Sequence, residues 1–72
     1  MDLKKMHELF GLCWLLYKAG REDKLSDETC DEFRDNTSRL YVQLGMDEFA
    51  KDLIVLVADE VDRIWREQHG KS

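Results

Sequence analysis

Acidic side chains at helical spacing are the residues of this chain that could do chemistry. Asp27, Glu28 and Asp31 form one set, and Asp59 and Asp62 form a second, with 27 residues between the two sets. Positions three or four apart lie on the same side of an α-helix, so each set would present its carboxylates together. Two such sets on neighbouring helices could hold a hard divalent cation and, through it, a triphosphate.

This spacing resembles that of the all-α nucleoside triphosphate pyrophosphatases related to MazG. In that family, motifs of the general form E-E-x-x-E and E-x-x-D hold magnesium from neighbouring helices. The resemblance implies a magnesium-dependent nucleotide hydrolase. It covers only the two short acidic segments and departs from the motif in residue type at three of five positions. Because 16 of the 72 residues are acidic, we interpret these carboxylates as surface acids.

The other candidate catalytic residues do not form a known constellation. His7 and His69 lie near opposite ends of the chain, and neither has a cysteine or second histidine three or four residues away, so zinc is not expected. Cys13 and Cys30 each fall on the apolar stripe of a predicted helix, where a thiol usually behaves as a small hydrophobic side chain. We therefore predict no enzymatic activity, no catalytic residue, no metal, no cofactor and no small-molecule substrate.

Negative charge is concentrated in residues 22–35. This segment has seven acids and two bases, whereas the rest of the chain has nine of each. We define the acidic ridge as the carboxylates that repeat here at three and four residues: Asp27, Glu28, Asp31, Glu32 and Asp35. A solvated helix face is one interpretation. The alternative is an acidic inhibitor or nucleic-acid mimic, of the phage or mobile-element type, that docks a basic partner through residues 22–35. The same charge argues against direct binding of nucleic acid.

Apolar periodicity predicts the elements that must position these groups. Three segments repeat apolar residues at three and four positions, which predicts helices over about residues 2–19, 26–44 and 47–68. Asp2, Ser26 and Asp47 are placed to cap their N-termini, and Gly20 and Gly45 to end the first two. We predict one all-α domain, residues 1–72, folded as a compact three-helix bundle.

The segment 53–58 is apolar at six consecutive positions. Its β-branched residues also suit a β-strand, and periodicity alone does not distinguish a strand from a helix here. No other segment alternates, so a strand here would have no partner within the monomer. We therefore predict a helix, with apolar side chains around its whole circumference.

The first and third helices carry more apolar residues than one buried face requires. In residues 3–19 and 48–66, 11 of 17 and 11 of 19 residues are apolar, whereas only 6 of 18 are apolar in residues 27–44. A rich core is one explanation. The explanation that we favour is an interface formed by helices 1 and 3, with an isologous homodimer as its default form and another protein as the alternative partner. The candidate interface residues are Leu12, Trp14, Leu15, Phe49, Leu53 and Leu56.

Targeting features are not evident. We find no signal peptide and no apolar run near the roughly 20 residues that span a membrane, and two cysteines do not make a disulfide framework. The sequence therefore predicts a cytoplasmic, non-enzymatic interaction module that acts as an accessory or regulatory protein, without membrane binding.

Overall fold

Three α-helices make up the structure. The computed structural model describes residues 2–70, and its helices are α1 (Leu3–Arg21), α2 (Asp27–Gln43) and α3 (Glu48–His69). The predicted all-α bundle is confirmed, and each predicted helix boundary lies within two residues of the observed one. The apolar segment 53–58 is helical and belongs to α3.

Each helix begins at a side-chain cap that the sequence predicts. Asp2, Ser26 and Asp47 have extended backbone conformations, and each accepts a hydrogen bond from a main-chain N–H in the first turn of its helix. The donors are the N–H groups of Lys4 and Lys5 for α1, Thr29 for α2 and Ala50 for α3. These bonds satisfy donors that an α-helix leaves unpaired at its N-terminus.

Gly20 does not end α1 as predicted. The helix continues through it to Arg21, and the chain turns at Asp23, whose φ is 57°. Gly20 is buried, and a Cβ atom placed on it would lie 3.3 Å from Cγ1 of Val61. The glycine therefore allows α3 to approach α1 closely. Gly45, by contrast, follows α2 with a φ of +74°, a left-handed conformation that favours glycine, and its predicted role is confirmed.

The core lies along one side of α1. Leu9 and Thr37 are fully buried, and the Thr37 hydroxyl is satisfied because it donates to the Phe33 carbonyl at 2.7 Å. Around them, the buried hydrophobic residues are Met6, Cys13, Leu16, Leu40, Ala50, Val61 and Ile64. Most of the stripes predicted from the sequence therefore form the core, but Cys30 is exposed, so its predicted place in the core was wrong.

The first helix holds the bundle together. It packs against both α2 and α3, whereas α2 and α3 make little contact with one another. Phe10 lies beside Phe49 and Gly20 beside Val61, so α1 and α3 run in the same direction. At the far end, Nε2 of His69 lies 2.6 Å from Oδ1 of Asp23, which ties the end of α3 to the α1–α2 turn.

Candidate protein-interaction surfaces

A cluster of exposed apolar side chains lies where α1 and α3 run side by side. The rings of Phe10 and Phe49 meet across the two helices with their centroids 6.2 Å apart. Trp14 follows Phe10 by one turn, and Leu56 follows Phe49 by two, so each pair shares one side of its helix. Their exposed fractions are 46% for Phe10, 57% for Trp14, 55% for Phe49 and 67% for Leu56. We call these four residues the α1–α3 face.

The six candidate interface residues do not lie on a single surface. Trp14, Phe49 and Leu56 belong to the α1–α3 face. Leu12 and Leu53 are half-buried and pack against the core. Leu15 is 60% exposed, but it follows Trp14 by one residue and so points about 100° away around the helix.

Phe10 belongs to this face, although it is not among the candidate interface residues predicted from the sequence. The signal that could have located it is its four-residue spacing from Trp14. Whether the α1–α3 face binds a partner stays a prediction.

Charged groups border the α1–α3 face at its end towards the C-terminus of α3. The guanidinium of Arg63 contacts the carboxylates of Glu60 and Glu67, with nitrogen–oxygen distances of 2.6 Å to each. The hydrogen bond from Arg63 lowers the pKa of Glu60, and the same bond raises the pKa of Arg63. Nε of Arg21 donates to the Tyr17 hydroxyl at 2.9 Å on the neighbouring helix. The border is therefore polar and largely neutralised by its own pairs.

The acidic ridge lies on the solvent side of α2, and all five of its residues are exposed. Within residues 2–70, one residue of the ridge, Asp31, forms an ion pair, and its partner is Arg34. The other four carboxylates form no ion pair with another described residue. The ridge is on α2, whereas the α1–α3 face is formed by the other two helices.

The carboxylates that resemble the pyrophosphatase motifs are not assembled into a metal site. Among the described residues, no group of three or more histidine, cysteine, aspartate or glutamate side chains is placed to hold a metal ion. Asp62 is bound to Arg66 within α3.

The two cysteines have different environments. Cys13 is buried in the core, and this burial raises the pKa of its thiol. Cys30 is exposed on α2, at the edge of a cavity between α2 and α3. A reagent in solution therefore reaches Cys30 before it reaches Cys13.

The weak packing between α2 and α3 leaves an open groove. It contains a cavity of about 540 Å³ and a smaller one of about 170 Å³, and both are lined by Thr37, Ser38 and Ile54. The two cavities are therefore neighbouring parts of one depression, which we call the α2–α3 groove. The apolar periodicity of the sequence does not predict this groove, because its walls come from α2, which has few apolar residues, and from the flank of α3.

No protein-family model, curated protein or solved structure matches this chain. Within the described residues, no helix combines the length and the apolar character needed to cross a membrane.

Proposed function

We propose that this protein is a non-enzymatic interaction module that associates with a second copy of itself through the α1–α3 face. The observation that carries the proposal is the aromatic contact between Phe10 and Phe49, which joins the two helices into one exposed apolar surface. Aromatic residues are enriched at the centres of protein interfaces, where they bury large areas at low entropic cost.

The shape of the molecule supports a dimer of this kind. Its principal extents are 42 × 19 × 15 Å, so the molecule is elongated and its long sides offer more surface to a partner than its ends do. Helices α1 and α3 are parallel to one another. A two-fold axis that lies in the interface, perpendicular to both helices, would place α1 and α3 of the second copy antiparallel to those of the first. Apolar residues would then meet apolar residues, while the neutralised border around Arg63 stays in solvent.

The size of the chain supports the same proposal. A bundle of 72 residues buries a limited core, and association is a common way to add buried apolar area. Each exposed aromatic ring of the α1–α3 face that a partner covers adds to that area. The dimer would act as an accessory or regulatory unit, with α2 and its acidic ridge available to other proteins.

The test is the mass of the intact chain in solution. Sedimentation equilibrium at micromolar concentration is expected to give twice the 8.6 kDa of one chain. A single species of monomer mass at several hundred micromolar, in moderate salt, would contradict the dimer.

A second candidate function uses the acidic ridge. Four of its carboxylates are without an ion pair in the described part of the chain, which leaves a continuous negative surface for a basic protein. An inhibitor of a nucleic-acid-binding protein would present such a surface. In this case, changing Asp27, Asp31 and Asp35 to lysine should abolish binding to a basic partner, and binding by the unchanged protein should weaken strongly with salt. Affinity that survives these changes would exclude this function.

A further inference from the structure

Asp23 has a backbone conformation that usually belongs to glycine. It follows the C-cap of α1 directly, and its φ of 57° lies in the left-handed region. Its N–H donates to the Gly20 carbonyl at 3.2 Å, and the next N–H, of Lys24, donates to the Ala19 carbonyl at 2.8 Å. This is the Schellman arrangement of a helix C-terminus, in which glycine avoids the steric cost of a Cβ atom. An aspartate accepts that cost here, which directs attention to its side chain.

The carboxylate of Asp23 contacts the last turn of α3. Its Oδ1 lies 2.6 Å from Nε2 of His69, which is 46 residues later in the chain. An ionised carboxylate only accepts hydrogen bonds, so Nε2 is the donor. When the imidazole is protonated, the contact becomes a charge-assisted hydrogen bond, which is stronger than the bond from a neutral ring.

The ring of His69 also stacks on Trp65. The two ring centroids are 4.8 Å apart, and the ring planes are inclined by 22°. The face of an indole ring attracts a cation that lies within about 6 Å of its centroid. The stack therefore favours the imidazolium over the neutral imidazole, as the Asp23 carboxylate does.

Two helix C-termini lie at this end of the bundle. Helices α1 and α3 run in the same direction, and their last residues are Arg21 and His69. The C-terminus of a helix carries a partial negative charge that stabilises a nearby cation. The Asp23 carboxylate adds a full negative charge at the end of α1, where an anion is unfavourable unless a cation accompanies it. A proton on His69 supplies that cation.

Among the described residues, Asp23 is the acid that pairs with His69. Asp27 and Glu28, in the first turn of α2, form no ion pair with His69 in this part of the chain. The other charged side chains of the neighbouring turn and helix ends have contacts of their own: Lys24 with Glu22, Arg21 with the Tyr17 hydroxyl, Arg66 with Asp62, and Arg63 with Glu67. The contact between Asp23 and His69 is therefore a discrete pair.

We propose that Asp23, His69 and Trp65 form a proton-sensitive latch, which fastens the last turn of α3 to the α1–α2 turn when His69 is protonated and loosens when its ring is neutral. Histidine ordinarily changes charge between pH 5 and 8. The stabilisation by the latch is therefore complete at the acidic end of this range and is lost as the pH rises through it. Because α3 has little support from α2, the latch governs how firmly the end of α3 is held.

The first experiment is a double-mutant cycle of Asp23→Asn and His69→Gln on the full chain, at pH 5.5 and pH 8.5. Asparagine also tolerates the left-handed backbone, and both amide side chains keep hydrogen-bonding groups, so the substitutions chiefly remove charge. Urea unfolding at one fixed protein concentration gives the apparent unfolding equilibrium constant of each variant. The coupling is expected to be about threefold at pH 5.5, as for a partly exposed ion pair, and less than about 1.5-fold at pH 8.5.

Two further cycles separate the charge of His69 from the shape of its side chain. His69→Lys carries a positive charge at both pH values, so its coupling to Asp23→Asn should persist at pH 8.5. Glu22→Gln is the matched control, because it removes a carboxylate from the residue next to Asp23. Its coupling to His69→Gln should stay below about 1.5-fold at both pH values.

Glycine substitutions separate the latch from the backbone conformation. Met46 also has a φ of 57°, at the turn after α2. Met46→Gly and Asp23→Gly should both relieve an unfavourable backbone conformation. The effect of Met46→Gly on stability should be the same at pH 5.5 and pH 8.5. Asp23→Gly should be less favourable at pH 5.5 than at pH 8.5, because at pH 5.5 it also removes the latch.

Tryptophan fluorescence reports on the stack itself. A protonated imidazole in contact with an indole ring quenches its emission more strongly than a neutral imidazole does. The emission of the unchanged protein should therefore fall between pH 8.5 and pH 5.5. His69→Gln should remove this fall, and Trp65→Phe, which leaves Trp14 as the emitting residue, should remove it too.

Equal coupling of Asp23 and His69 at the two pH values would show a hydrogen bond that does not respond to the proton, and would overturn the proposal. Absence of coupling at both pH values would show that the two side chains do not interact, and would also overturn it. A His69→Gln variant whose emission falls as much as that of the unchanged protein would contradict the role of the stack.

Discussion

Phe10 and Phe49 pack against one another at the surface of the bundle, with ring centroids 6.2 Å apart and ring planes inclined by 44°. Each ring covers part of the other, and about half of each stays exposed. Aromatic side chains carry a large apolar area and dominate the energetics of cores and interfaces when that area is buried. Here the pair forms part of the outer surface, with Trp14 and Leu56 beside it. This relationship is the basis of the first two predictions.

Trp14→Glu and Leu56→Glu should each convert a dimer into a monomer. Both side chains lie at the centre of the proposed interface, where truncation or charge costs at least about 2 kcal/mol, or about 30-fold in the dissociation constant. Sedimentation at a fixed micromolar concentration measures the change. Val42→Glu is the matched control, because Val42 is 62% exposed on α2 and outside the face, and it should remain dimeric. If Trp14→Glu and Leu56→Glu both remain dimeric, the interface lies outside the α1–α3 face.

Leu15→Glu separates the two sides of α1. Leu15 is as exposed as Trp14, but it points about 100° away around the helix. If the α1–α3 face is the interface, Leu15→Glu should sediment as a dimer while Trp14→Glu sediments as a monomer. The opposite pattern would assign the interface to the α2 side of α1. Circular dichroism of both variants checks that the helices are intact.

The helices and most of the core follow from local sequence patterns. Caps such as Ser26 and Asp47 depend on a side chain and the N–H group three residues later, so a single sequence is enough to find them. Gly20 shows the limit of this reasoning. Its sequence context suits a helix end, but the close approach of Val61, 41 residues away, determines its place inside α1.

The surfaces are less predictable than the helices, for a related reason. A hydrophobic pattern shows that Trp14 and Leu12 are both apolar, but not that one packs on the core while the other stays exposed. That difference depends on the rotation of α1 against α3. The α2–α3 groove could not be predicted in this way. It is the space left between two helices, and its size depends on how far apart they lie, which neither helix's own sequence pattern specifies. Cys30 lies on its edge for the same reason.

Gly11 and Gly20 should respond differently to alanine. Both are helical, so alanine gains about 1 kcal/mol in helix propensity at each. Gly11→Ala should realise this gain, because the added methyl group meets no atom within 4 Å. Gly20→Ala should be less favourable than Gly11→Ala, because its methyl group would crowd Cγ1 of Val61 at 3.3 Å. Urea unfolding measures both free energies.

The Val61→Ala background tests the cause of this difference. Removing the Cγ atoms of Val61 should make the Gly20→Ala change more favourable than it is in the unchanged protein, while the effect of Gly11→Ala stays the same. Equal effects of Gly20→Ala in both backgrounds would show that the two helices do not press on one another at this point.

Burial of Cys13 should make the stability of the protein fall at alkaline pH. Burial raises the thiol's pKa above its ordinary value of 9.0, so the folded state holds this proton more tightly than the unfolded chain does. The resulting stabilisation is complete below pH 9.0 and is lost as the pH rises from there through the folded-state pKa. The free energy of unfolding, measured with urea from pH 7 to pH 10.5, should therefore decrease above about pH 9.

Cys13→Ala isolates this contribution. The substitution removes the titrating group, so the difference in unfolding free energy between the unchanged protein and the variant should be constant below about pH 9 and should shrink above it. Cys30→Ala is the matched control, because it removes an exposed thiol instead of a buried one and is measured over the same pH range. A Cys13→Ala difference that stays constant up to pH 10.5 would mean that the Cys13 thiol ionises as easily in the folded protein as in the unfolded chain.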